Sequence, residues 1–183
     1  MKKVINNKKS KNKNLNFLTI KEIREIIFNI KDARDNLIFR ILYETGCLPS
    51  ELINIKVKDI LGNKIRIKTR FVLISGKLAK DISLFIIGNK LSNENFLFST
   101  RQSKKISEKR ISQIIEFYTK KNIKINAQKI RYYHIIHAYL NGVFLKEIAK
   151  NLGLTEFRIF QILQNFDINT YNNYQNFLKK VCL

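Results

Sequence analysis

The sequence has few cysteines, the residues that form disulfide bonds and many zinc sites. Its 183 residues include only two cysteines, Cys47 and Cys182. This count excludes a disulfide framework and any zinc site built on cysteines. No apolar run approaches the roughly 18 residues that a membrane-spanning helix needs, so we expect no membrane partner. The basic first residues are not followed by an apolar stretch, so no secretory signal is expected.

Acidic residues are also scarce. The chain has 14 Asp and Glu against 35 Lys and Arg, which gives a formal net charge of +21. A bias towards A- and T-rich codons would raise Lys, Asn and Ile, but it would raise Glu and Asp as well. Such an excess predicts a polyanionic partner, and a nucleic acid is the one we favour. A ribosomal protein, a membrane-surface protein or a non-specific RNA binder would share this charge.

Basic residues are concentrated in two parts of the chain. Residues 1–16 contain six lysines, five asparagines and no acid, which is typical of a disordered basic arm. Residues 60–131 contain 17 Lys or Arg and 4 Asp or Glu. We therefore expect an arm over 1–16, a folded domain over 17–183, and a basic face formed by the middle of that domain.

Hydrophobic spacing predicts helices at both ends of the domain. Thr19 with Glu22 forms a capping box, Asp32 is a second helix start, and Gly46 suits a left-handed helix end. The helical spacing returns after residue 105 and predicts a further series of helices. The predicted helical segments are a short one after Pro49, then about 106–118, 127–140, 145–152, 155–166 and a C-terminal amphipathic one over 171–181.

Between these helices the apolar spacing changes to a period of two. Strands are predicted around Ile65–Ile67, Phe71–Ile74 and Ile82–Ile86, with a tight turn at residues 75–77. The predicted fold class is α+β, mainly helical, with a small three-stranded antiparallel sheet.

Along the chain follow the strings Phe17-Leu18-Thr19 with Glu22, Leu42-Tyr43-Glu44-Thr45-Gly46, Ser50-Glu51-Leu52, Asp59-Ile60, Leu97-Phe98, Ile130-Arg131, Asn141-Gly142 and Leu152-Gly153. In this order they resemble the catalytic domain of the tyrosine recombinase, or phage integrase, family. The spacings between Arg131, Gly142 and Gly153 also match that family. The resemblance covers residues 17–170 and does not extend to the N-terminal DNA-clamping domain of larger members.

The resemblance implies a covalent chemistry on DNA. In the family a tyrosine hydroxyl attacks a phosphate and forms a 3′-phosphotyrosyl bond. Two arginines and two His- or Trp-type donors hold the phosphate oxygens, and a lysine on a β-hairpin protonates the leaving oxygen. These groups stabilise charge that develops on the phosphoryl group.

Several of these positions carry residues that cannot do this chemistry. Leu48 stands where the family has its first arginine, Leu154 replaces a late donor, and the nucleophile would fall at Leu163. The His-x-x-Arg pair becomes Gln128 and Arg131. The hairpin lysine matches Lys77 best, with Lys80 as a near neighbour.

We therefore expect a DNA-binding member of the family that lacks strand transfer and has no cofactor. Its expected place is the cytoplasm, on the nucleoid or a plasmid, with a possible role in recombination, integration or mobile-element maintenance. His134 and His137 lie three residues apart without a nearby carboxylate, so no metal site is expected. The predicted DNA-binding residues are Arg66, Lys68, Arg70, Lys77, Lys80, Gln128, Lys129 and Arg131.

Two alternatives stay open at this point. An active recombinase could use a displaced tyrosine, Tyr171 or Tyr174, or a tyrosine donated in trans by another subunit. Alternatively, the C-terminal helix could dock on a second copy or on an active recombinase, which would make this chain a structural partner.

Overall fold

In the parts of the chain that it describes, the computed structural model has eight α-helices and one small sheet. The structure describes residues 17–100, 103–119, 125–166 and 168. The predicted basic arm and the C-terminal helix with Tyr171 and Tyr174 lie outside the described residues. The helices are α1 Ile20–Asn29, α2 Ala33–Thr45, α3 Pro49–Leu52, α4 Gly76–Gly88, α5 Glu108–Thr119, α6 Ala127–Leu140, α7 Leu145–Leu152 and α8 Glu156–Asn165, and the strands are β1 Ile60–Leu61, β2 Lys64–Ile67 and β3 Arg70–Leu73.

Local capping signals set the ends of most helices. Thr19 and Glu22 form the reciprocal capping box that starts α1, and Asp32 accepts the backbone N–H of Asp35 at the start of α2. Gly46 ends α2 with a φ of 62°, a left-handed conformation that favours glycine. The predicted helices over 127–140 and 145–152 have the bounds that the structure gives to α6 and α7.

The sheet is antiparallel, with strand order β1-β2-β3, but one of its predicted strands is wrong. The segment around Ile82–Ile86 belongs to helix α4, and the remaining strand is the two-residue β1 instead. Ile82, Leu84 and Ile86 alternate like a strand, yet Leu78 and Ile82 also fit helical spacing. Leu78 and Ile82 are the residues that α4 buries, while Leu84 is exposed.

The predicted tight turn at residues 75–77 is also wrong. Ser75 is the N-cap of α4, and its side chain accepts a hydrogen bond from the backbone N–H of Leu78. The Ser75 N–H donates to Glu44 of α2 at 2.8 Å, so a carboxylate already lies at the positive end of α4. The hairpin turn joins β2 to β3 instead, at Lys68 and Thr69, and Lys68 has a φ of 54°.

Helix α2 lies at the centre of one continuous core. It packs against α1, α3, α4, α5 and α6, and five of its apolar side chains are buried. The inward face of β2 adds Ile65 and Ile67 to this core. Among the described residues no helix is long and apolar enough to cross a membrane.

Candidate nucleic-acid interface

A buried carboxylate, that of Glu51 on α3, forms the centre of a basic cluster. Arg70 Nη2 donates to both Glu51 oxygens at 2.9 Å. Lys68 Nζ lies 3.6 Å from Glu51 Oε1, and Arg131 Nη1 lies 3.8 Å from Oε2. We call these four residues the Glu51 cluster. It gathers side chains from α3, the β2–β3 hairpin and α6 at one place.

The surroundings of Glu51 keep it ionised. Burial alone raises a carboxyl pKa, but the Leu48 N–H donates to Glu51 Oε2 at 2.9 Å, and the Arg70 and Arg131 guanidiniums lie beside it. These favourable interactions exceed the burial effect, so the pKa of Glu51 is lowered. The cluster therefore contains one negative charge among three positive ones.

Arg131 joins helix ends inside the protein. It is only 5% exposed, and it donates to Gly46 O at 2.7 Å and to Leu152 O at 3.1 Å. Those carbonyls lie at the C-terminal ends of α2 and α7, where backbone acceptors lack helical partners. Burial lowers the pKa of Arg131, and Glu51 offsets part of that effect. The predicted phosphate-contacting arginine thus supports the shape of the site.

Arg70 connects the hairpin to α7 in the same way. Its Nε donates to Asn151 O at 2.9 Å while Nη2 holds Glu51. Lys68 is exposed at the turn before it, and its ion pair within the described residues is the long one to Glu51. Within the Glu51 cluster, Lys68 is therefore the cation with most access to solvent.

The structure does not place Lys77 on the hairpin. Lys77 lies in the first turn of α4, and Lys80 follows one turn later; both are exposed. The turn of the β2–β3 hairpin is two residues long, and its lysine is Lys68. The sequence assignment failed because the alternating apolar residues of α4 imitated a longer hairpin.

The remaining predicted basic and polar residues lie outside the Glu51 cluster. Arg66 on β2 donates through Nε and Nη2 to Asp59 Oδ1, at 2.8 and 2.6 Å. Gln128 is exposed in the first turn of α6, and Lys129 beside it is half-buried. These residues stay predicted DNA contacts.

Leucines occupy the three positions where the resemblance places a donor or the nucleophile. Leu48 is half-buried at the start of α3, where its backbone N–H serves Glu51. Leu154 is half-buried against the core. Leu163 on α8 has no exposed surface. A side chain at position 163 therefore packs inside the domain in this structure.

Two histidines of α6 are hydrogen-bonded inside the protein in their neutral form. His137 Nε2 donates to Leu18 O at 2.8 Å, so its Nδ1 accepts from the Tyr43 hydroxyl. His134 Nδ1 donates to Tyr43 O at 2.9 Å, and burial lowers its pKa to about 4. In the described parts of the chain, no group of three or more metal-ligating side chains is found.

Sequence reasoning missed Glu51 as a site residue. Its only local signal is the Ser50-Glu51-Leu52 string, where an acid beside apolar residues also suits a helix start. Its partners lie 17, 19 and 80 residues further along the chain, at positions 68, 70 and 131. Spacing in the sequence cannot show that such distant residues meet.

Comparison with known proteins extends this description. A model of the phage integrase family matches residues 16–165. Tyrosine recombinase XerA of Pyrococcus furiosus is 31% identical over 162 residues, and its homologue from Pyrococcus horikoshii is 27% identical over 157 residues. Each match covers 79% of this chain and 55% of the relative. The chain thus spans about half the length of the curated relatives it matches.

Solved structures share the fold. A XerA recombinase crystal structure has a TM-score of 0.74 at 18% identity and covers 90% of this chain and 64% of the other. The Tn1549 transposon integrase in complex with transposon right end DNA has a TM-score of 0.70 at 15% identity, covering 91% and 66%. XerH bound to its difH substrate has a TM-score of 0.66 at 22% identity, covering 81% and 49%.

Proposed function

This chain belongs to the phage integrase family, and from that premise we propose that it binds double-stranded DNA without cleaving it. The observation that carries the proposal is Leu163, fully buried where the resemblance places the nucleophile. An alkyl side chain cannot attack a phosphate.

The donor set supports the same conclusion. Leu48 offers a phosphate no side-chain hydrogen bond, and the guanidinium of Arg131 is directed at two backbone carbonyls and Glu51. Removing one preorganised donor from a phosphate or oxyanion site typically slows a reaction by about 10²–10³. With leucine at the first arginine position (Leu48), at the late donor position (Leu154) and at the nucleophile position (Leu163), the domain lacks the groups that the family's chemistry needs.

The capacity to bind DNA rests on charge. The XerH and Tn1549 integrase structures of the same fold hold DNA. In this chain Lys68 and the exposed lysines of α4 supply phosphate contacts, and the net charge of +21 favours association with any duplex. Family membership supports a part in DNA recombination, and we propose maintenance of a mobile element as the setting of that part.

The first test selects bound sequences from a random duplex library at near-physiological salt. We expect retained duplexes and an affinity that falls as salt rises. Lys68→Glu should weaken binding more than Lys31→Glu, which changes the net charge equally on the exposed α1–α2 connection. Equal effects of the two variants would refute a localised interface.

A second test looks for covalent chemistry. The selected duplex, nicked at each position in turn, is incubated with the protein and resolved under denaturing conditions. We expect no protein–DNA adduct. An adduct that disappears in Tyr171→Phe or Tyr174→Phe would show an active recombinase with a displaced nucleophile and would overturn the proposal.

A further inference from the structure

The solvent-facing side of the sheet alternates basic and apolar side chains. Its five members, which we call the outer sheet face, are all exposed: Leu61, Lys64, Arg66, Phe71 and Leu73. Phe71 is 53% exposed and Leu73 is 62% exposed. The opposite side of the same strands is buried through Ile65, Ile67 and Val72. The exposed apolar groups are therefore not part of the core.

The strand register gives each apolar side chain a basic neighbour. Phe71 on β3 lies directly opposite Arg66 on β2, and Leu73 lies opposite Lys64. Opposed residues of an antiparallel pair have Cβ atoms about 4.5–5.5 Å apart, so these side chains are adjacent. Asp59 holds the Nε edge of Arg66, and the Arg66 side chain stays 44% exposed. An aromatic ring thus lies next to an oriented guanidinium.

The charge of this segment favours a nucleic acid over a protein as the occupant. Residues 59–81 contain six Lys or Arg against two acids, Asp59 and Asp81. Lysine is depleted in protein–protein interfaces, whereas aromatic residues between cations are typical of surfaces that bind single strands. Because paired bases are stacked inside a duplex, an exposed ring on the sheet finds a stacking partner only among unpaired bases.

We propose that the outer sheet face binds unpaired nucleotides, with Phe71 stacking on a base and Lys64 and Arg66 contacting the flanking phosphates. This inference rests on the proposed function and adds a second class of nucleic acid to it. Duplex binding would use Lys68 and the lysines of α4, while an unpaired strand would lie across the sheet.

The test uses the full chain and exploits its lack of tryptophan. Phe71→Trp places a single fluorescent indole on the outer sheet face, and Phe157→Trp places one at another exposed position, on α8. Each variant is titrated with a single-stranded oligothymidylate and with a duplex of the same length. We expect the single strand to quench the indole at position 71 and to leave the one at 157 unchanged.

Affinities of alanine variants give an independent measurement. Phe71→Ala should weaken single-strand binding by about tenfold and change duplex binding by less than about twofold. Phe157→Ala should change neither. Unaltered single-strand affinity in Phe71→Ala, or an equal loss for both nucleic acids, would overturn the inference without contradicting the proposed duplex binding of the unmodified chain. Failure of the unmodified chain to bind the duplex would overturn the proposed function itself.

Discussion

Removal of the Glu51 carboxylate tests whether the Glu51 cluster holds the domain together. Glu51 is 6% exposed and Arg131 is 5% exposed, so Glu51→Ala leaves a buried guanidinium without its counter-charge. Breaking a buried ion pair by removing one partner costs about 3–5 kcal/mol. That is a large share of the roughly 5–15 kcal/mol by which native proteins are stable. At about 2–4 °C per kcal/mol for a chain of this size, Tm should fall by about 6–20 °C.

The measurement is urea unfolding and thermal unfolding followed by circular dichroism. Glu51→Gln should lose less stability than Glu51→Ala, because its amide oxygen can still accept from the Leu48 N–H and from Arg70. Glu94→Ala is the matched control, since Glu94 is also paired with cations, Lys56 and Lys58, but lies at the surface. Its Tm should stay close to that of the unmodified chain. Equal Tm values for Glu51→Ala and Glu94→Ala would refute a structural role for the cluster.

The pH dependence of the same loss provides a check on its cause. The pKa of Glu51 is lowered on folding, so its contribution is fully present above the unfolded value of about 4.5 and is lost as pH falls through the folded value. The stability difference between the unmodified chain and Glu51→Gln should therefore shrink in acid. A difference that stays constant below pH 4.5 would show that packing alone is responsible.

Three further predictions concern other sites. The pKa of His134 is about 4 in the folded chain and 6.5 in the unfolded chain, so protonation of this histidine favours unfolding. The stability that depends on neutral His134 is therefore fully present above pH 6.5. It is lost between pH 6.5 and pH 4, at up to about 1.4 kcal/mol per pH unit. His134→Gln should flatten urea-derived stability between pH 7 and 5, and an unchanged slope would contradict this assignment. Lys68→Ala should lower duplex affinity more than Lys77→Ala and should reduce the slope of log affinity against log salt concentration by about one. Fluorescence anisotropy over a salt series measures both quantities. A larger effect of Lys77→Ala would show that Lys77, not Lys68, is the lysine that contacts the DNA. Gly46→Ala should destabilise the protein more than Gly62→Ala in urea unfolding, although both glycines have a positive φ. A Cβ added at position 46 would lie 2.6 Å from Leu152, whereas one at position 62 meets nothing within 4 Å. Equal losses of stability would mean that the backbone conformation alone matters.

Much of the helical architecture was predictable because its signals are local. The Thr19 capping box, the Asp32 N-cap and the Gly46 helix end each act within a few residues of themselves. The family resemblance also came from short strings, and the match over residues 16–165 confirms it. The fold class of helices with three antiparallel strands is confirmed as well.

The error in the sheet shows where local pattern stops being decisive. The segment from Leu78 to Ile86 carries apolar residues at both spacings, so either period can be found in it. The structure selects the helix, in which Leu78 and Ile82 are buried and Arg40 of α2 pairs with Asp81. Arg40 lies 41 residues before Asp81 in the chain, so a local stretch of sequence does not show that the two residues pair.

The sequence by itself determined the charge of this protein, its family, and the absence of a tyrosine and a first arginine at the expected positions. Those properties depend only on which residue stands at each place in the chain. The tertiary structure decided which residues meet around Glu51, namely Lys68, Arg70 and Arg131. It also decided that Arg131 donates its hydrogen bonds to backbone carbonyls at helix ends. Such meetings depend on how α3, the hairpin, α6 and α7 pack around one core, because side chains far apart in the chain become neighbours only when that core forms.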